Sequence, residues 1–144
     1  MDQTAYFEQM RQKRRSEILE TARRMILDQG LFSFSMQGLA QTLDVSTVTL
    51  YKYYKNSTAI IEDLYQTRTG TLFQFPDLFP TQKKSEDLAL ERISLILDDM
   101  ICRREDFRLV MTLGLYIYPS DSVTEILPAE PFLQYLQETL PPEV

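Results

Sequence analysis

The residues Leu39–Asn56, LAQTLDVSTVTLYKYYKN, decide how this chain is read. Leu39 and Leu43 stand four apart, as do Leu50 and Tyr54, so each pair shares one face of a helix. Ala40 is small enough to let two such helices cross closely. Between them, Leu43-Asp44-Val45 predicts a turn whose central residue sits in the left-handed region, cheapest for Gly but tolerated by Asp. Ser46 is placed to cap the second helix. Two short helices locked by apolar contacts, the second pushed outward, make a helix-turn-helix.

The second helix then presents Thr47, Val48, Thr49, Tyr51, Lys52 and Tyr53 on its outward face. Duplex DNA accounts for these residue types. Hydroxyls such as Ser46 and a helix N-terminus suit phosphate oxygens, the threonine methyls and Val48 suit thymine methyls, and Lys52 and Lys55 add positive charge. Gln37, near the start of the preceding helix, is within reach of an adenine edge or a phosphate. At this stage an alternative stays open, in which Tyr51 and Tyr53 cover the core and the threonines face water. Tyr54 is read as core.

Working outward, every long segment reads as helix, giving an all-α fold class. Residues 11–29 place Ile18, Ala22, Met25 and Ile26 on one stripe, with Arg14, Arg15 and Glu17 off it, and Gly30 is a natural stop. Phe32 and Phe34 are expected to plug the core, and Ser35 to cap a helix over Met36–Leu43. After Asn56, Ile60, Ile61, Leu64 and Tyr65 mark a further helix with Ser57 as a candidate cap. Pro76 and Pro80 break it in a loop, where Phe73, Phe75 and Phe79 form a satellite cluster or a lid. A helix capped by Ser85 carries Ala89, Ile93, Ile96, Leu97 and Met100 on one face. Residues 105–118 are apolar nearly all round, which predicts a buried helix, with a solitary strand over 109–118 as the weaker reading. A last short helix, PFLQYLQETL, closes the pattern. The expected division is a DNA-binding domain over 1–56 and a helical dimerisation or ligand-binding domain over 57–144.

Composition narrows the function classes. The 144 residues contain no His, so the commonest general base and metal ligand are missing, and the four glycines are too scattered for a phosphate loop. Neither catalysis, a metal site nor a cofactor is expected. The longest apolar block, LVMTLGLYIY at 109–118, falls well short of the roughly 18 residues of a membrane span. The N-terminal residues lack a secretory apolar core and Cys102 has no internal disulfide partner, so a cytoplasmic location is expected. The net charge of −6 divides unevenly: residues 1–55 hold eight basic and six acidic side chains, a balance of +2, and the remainder carries −8. An acidic protein that gathers its positive charge in one segment remains compatible with nucleic acid.

Residues 13–65 resemble the N-terminal domain of the tetracycline-repressor (TetR) family of bacterial transcription regulators. The phrase FSFSMQGLAQTLDVS and the following TVTLYKYYKN carry the resemblance in order and spacing. It implies a homodimer whose recognition helices enter successive major grooves of a palindromic operator. It further implies a C-terminal helical domain that makes the dimer and often holds a small-molecule inducer pocket. By position, Gln37, Thr47, Val48, Thr49 and Tyr53 fall where family members touch bases or nearby backbone, and Tyr51 and Lys52 where they touch phosphates. Asp44 stands where the family usually has Gly, and Ser57 where Lys is common. In the C-terminal part, Val110, Met111, Leu113, Leu115 and Ile117 are candidates for core or dimer seam on one reading and for pocket lining on the other. The function expected is a dimeric, sequence-specific DNA-binding regulator, in the repressor sense. The alternative is a protein-interaction co-regulator with this fold but weakened DNA binding.

Overall fold

The computed structural model describes residues 2–72 and 86–119. The fold is all-α, an N-terminal helix-turn-helix domain followed by a helical C-terminal part, with no strand among the described residues. The order is α1 (Gln3–Gln29), a 3₁₀ turn (Leu31–Ser33), α2 (Met36–Leu43), α3 (Thr47–Tyr51), α4 (Ser57–Leu72), α5 (Glu86–Cys102) and α6 (Arg104–Ile117). The chain divides into two compact units, Met1–Gln66 and Thr67–Val144. The first unit runs ten residues past the expected 56/57 division, because Ile60 of α4 belongs to its core.

That core gathers Ile18 and Ala22 of α1, Met36, Leu39 and Ala40 of α2, Leu50 of α3, Tyr54, and Ile60 of α4. The stripe expected on α1 is the one that packs, with Ile18, Ala22 and Ile26 buried and Met25 half-buried. Helix α1 starts at Gln3, well before the expected residue 11, and Asp2 caps it by accepting the Thr4 N–H at 3.1 Å. Gly30 ends it with φ 87° and ψ 157°, a combination essentially confined to Gly. Two expectations fail nearby. Phe32 is fully exposed, not a core plug, because the 3₁₀ turn directs only Phe34 against the core. The cap of α4 is Asn56, whose side-chain oxygen accepts the Ala59 N–H at 2.8 Å, while Ser57 is the first helical residue.

In the second unit, α6 buries Leu109, Val110, Leu113 and Gly114, and α4 contributes the buried Leu72. Arg68 and Asp106 approach to 3.9 Å, and Arg103 pairs with Asp99 one helical turn away. Helix α6 confirms the helical reading of 105–118 over the strand, but it is not buried all round: Leu115 and Tyr116 are exposed. On α5, Leu97 and Met100 are exposed. The expected cap at Ser85, the cluster Phe73, Phe75 and Phe79, and the helix PFLQYLQETL lie outside the described residues. Among the described residues, no helix is long and apolar enough to cross a membrane.

Candidate nucleic-acid interface

The turn between α2 and α3 fixes the site. Asp44 adopts φ 54° and ψ 46°, the left-handed conformation its position demands. Its N–H donates to the Gln41 carbonyl at 3.2 Å and the Val45 N–H to the Ala40 carbonyl at 3.0 Å. This pair of bonds is a Schellman closure, and it satisfies carbonyls that the end of α2 would leave unpaired. Val45 packs against the core and anchors the turn from its far side. Ser35 caps α2 by accepting the Gly38 N–H at 3.1 Å, and Ser46 caps α3 by accepting the Thr49 N–H, also at 3.1 Å.

Helix α3 is held by one side chain. Leu50 is wholly buried in the core it shares with α1, α2, Tyr54 and α4, while Val48 is 67% and Tyr51 52% exposed. Gln37, Ser46, Lys52 and Lys55 are exposed as well, and Thr47, Thr49 and Tyr53 are half-buried. Of the six side chains expected to face outward, Val48, Tyr51 and Lys52 do so, whereas Thr47 and Thr49 are half-buried and Tyr53 packs in part against the core; the helix is also shorter than expected. It ends at Tyr51, and Lys52 and Tyr53 lie in a tight turn closed by Lys52 N–H to Thr49 carbonyl at 3.2 Å and Tyr53 N–H to Leu50 carbonyl at 3.0 Å. The Ser46 and Thr49 hydroxyls sit 2.8 Å apart, hydrogen-bonded to each other. Ser46 therefore spends its oxygen on holding α3 together, leaving Val48, Tyr51 and Lys52 as the side chains presented most fully.

Behind this face lies a polar knot that the sequence did not announce. The Tyr54 hydroxyl donates to the Asp63 carboxylate at 2.5 Å, and the Arg15 guanidinium donates to the same carboxylate oxygen at 2.7 and 2.9 Å and to the Tyr54 oxygen at 3.1 Å. It joins α1, the turn after α3, and α4 across sequence separations of up to 48 residues. Burial first, and then the bond to Asp63, push the Tyr54 phenol up to about 12. The Arg15 guanidinium is raised above its ordinary value, chiefly by the bond to Asp63. Tyr54 is legible as core from its spacing; its partners are not, since nothing local pairs Arg15 with Asp63.

Charge on the N-terminal unit is sorted by these pairings. Arg14 bonds Glu17, Arg15 bonds Asp63 and Arg23 bonds Glu20. Arg11, Lys13, Arg24, Lys52 and Lys55 form no ion pair among the described residues. The cations outside ion pairs thus stand at the start of α1, on its later turns at Arg24, and beside α3.

The C-terminal candidates separate into two groups. Val110 and Leu113 are wholly buried, Met111 and Ile117 are half-buried, and Leu115 is 56% exposed. Among the described residues no group of three or more Asp, Glu or Cys side chains is placed to hold a metal ion.

Against known proteins, residues 18–64 match the model of the bacterial regulatory proteins of the tetR family. The match starts at buried Ile18 of α1 and ends at buried Leu64 of α4, so it covers the elements of the N-terminal core. The crystal structure of a TetR-family transcriptional regulator from Marinobacter aquaeolei VT8 shares the fold at 20% identity, with a TM-score of 0.57, over 87% of this chain and 56% of that one. The chain therefore spans little more than half the length of that regulator. No curated protein matches it.

Proposed function

We propose, on the premise that the chain is a TetR-family transcription regulator, that it binds duplex DNA through the exposed face of α3 and the first turn of α2. Regulators of this family are DNA-binding transcription regulators. The observation that carries the reading is the division of labour within the five-residue α3: Leu50 alone is buried, and Val48 and Tyr51 stand in solvent with Lys52 following. A helix pinned by one leucine has no structural need for exposed Val48 and Tyr51. In a major groove they acquire a use.

In this reading Gln37, Thr47, Val48, Thr49 and Tyr53 meet base edges or the adjacent backbone, and Tyr51, Lys52 and Lys55 meet phosphates. Ser46 acts from behind by keeping α3 wound. The chain works as a homodimer on a palindromic operator, with half-sites about 34–36 Å apart, and as a cytoplasmic repressor rather than an enzyme. The buried Val110 and Leu113 support a packing role for the middle of α6, and the outward Leu115 supports a role in the seam between subunits. A small-molecule effector would act by changing how α4 is held, since α4 carries Asp63 of the knot that braces the turn after α3.

The test is selection of bound duplexes from a random library, followed by affinity measurements over a range of salt. A selected sequence whose affinity falls steeply with salt is the expected result. Tyr51→Ala weakens binding to all duplexes alike, and Thr49→Ala or Gln37→Ala relaxes preference at individual base pairs. A chain that selects no sequence but forms a stable complex with another protein would overturn the assignment in favour of an interaction module.

A further inference from the structure

The start of α1 buries no side chain. Residues 2–13 are exposed throughout, and the first buried side chain of the helix is Ile18. A helix so solvated gains little stability from packing, and about three turns of it extend beyond the core. Yet this segment borders a groove lined by Glu8, Arg11, Gln12, Arg15, Tyr53 and Tyr54, which runs from α1 to the turn that follows α3. Four of the six residues are already committed to one another or to the knot behind them. Gln12 donates to Glu8 at 3.1 Å, and Arg15 and Tyr54 are bound to Asp63. The remaining two, the Arg11 guanidinium and the Tyr53 phenol, are hydrogen-bond donors with no side-chain partner among the described residues.

We infer that this groove is a backbone-phosphate site that extends the DNA footprint along α1, with Arg11 as its cation and Tyr53 linking it to the α3 face. The inference rests on the proposed DNA binding and adds a contact outside the helix-turn-helix. A guanidinium suits a phosphate because its planar fork offers paired donors. Tyr53 packs in part against the core and lines the groove with Arg11, and the exposed Lys52 precedes it in the turn that closes α3. Glu8 opposes the anion, and its bond from Gln12 only partly satisfies it.

The experiment measures affinity of the full chain for its selected duplex by fluorescence anisotropy between 50 and 200 mM salt. Each phosphate contact contributes a slope of about 0.9, so wild-type affinity should fall about threefold further than that of Arg11→Gln over this range, per bound protomer. The duplex sequence selected by Arg11→Gln should be unchanged, because a phosphate contact carries no base information. Glu8→Gln should tighten binding. Lys13→Gln, on the opposite side of the same helix turn, should leave the slope as it is. An unaltered slope in Arg11→Gln, or an equal fall in Lys13→Gln, overturns the groove as a phosphate site. If that happens while Tyr51→Ala still weakens binding, the α3 interface stands and the groove alone falls. A wild-type chain that selects no duplex overturns both.

Discussion

Replacing Tyr54 by Phe removes one oxygen from the knot that joins α1, the turn after α3, and α4, and leaves the buried ring in place. The hydroxyl donates at 2.5 Å to a carboxylate that is itself 15% exposed. A hydrogen bond to a charged group contributes about 1.5–3 kcal/mol. Asp63 would keep its two bonds from Arg15, at 2.7 and 2.9 Å, and would not be orphaned. The expected loss at pH 7 therefore lies at the lower end, about 1.5–2 kcal/mol. The proton offers a second handle. The phenol is raised from 10.0 to about 12 by burial and by Asp63, so the folded state holds its proton to higher pH than the unfolded chain does. That contribution is complete below pH 10 and is lost as pH rises through about 12, and the gap corresponds to about 2–3 kcal/mol. Urea unfolding followed by circular dichroism at pH 7 and at steps from 9 to 12 measures both. The wild-type chain should lose stability across the alkaline steps faster than Tyr54→Phe, and the two curves should converge near the top. Equal stability at pH 7, with parallel alkaline curves, would refute the knot as a stabilising element.

Four further substitutions test the local geometry by equilibrium unfolding. Asn56→Ala removes the α4 cap and should cost about 1 kcal/mol, while Ser57→Ala should cost little, reversing what Ser57's place in the sequence implies. Gly30→Ala meets no neighbour within 4 Å, so any loss isolates the backbone strain of φ 87°, expected at about 1–3 kcal/mol. Asp44→Gly should stabilise the chain by up to about 1 kcal/mol by relieving φ 54°, and should also raise DNA affinity by removing a negative charge from the turn before α3.

The elements best read from sequence are those set by rules acting within a few residues. Ser35 and Ser46 cap the helices expected of them, and Asp44 takes the left-handed conformation, because each satisfies backbone groups at most a turn away. The stripe of Ile18, Ala22 and Ile26 was equally legible, since a helical period leaves only one face apolar. Phe32 was misjudged for a physical reason. Hydrophobicity states that burial is favourable, but the 3₁₀ turn allows only one of two alternating phenylalanines to point inward. Asn56 was overlooked in favour of its neighbour although Asn is as good a cap as Ser. The Arg15–Tyr54–Asp63 knot and the groove beside Arg11 join parts of the chain that meet only after folding, so no spacing in the sequence encodes them. Val48 and Tyr51 were legible as outward, because burying Leu50 leaves them on the far side of α3, but Tyr53 packs in part against the core beside Tyr54, and Thr47 and Thr49 are half-buried.

The most direct test of the DNA-binding face is a titration of isotopically labelled chain with its selected duplex, followed by amide chemical shifts in NMR. The largest changes should fall on Gln37, on Ser46 through Tyr53, and on Lys55, with smaller ones near Arg11, while the middle of α6 around Val110 and Leu113 stays nearly unmoved. Shifts concentrated in α5 and α6, with α3 silent at saturating duplex, would contradict the assignment of that face.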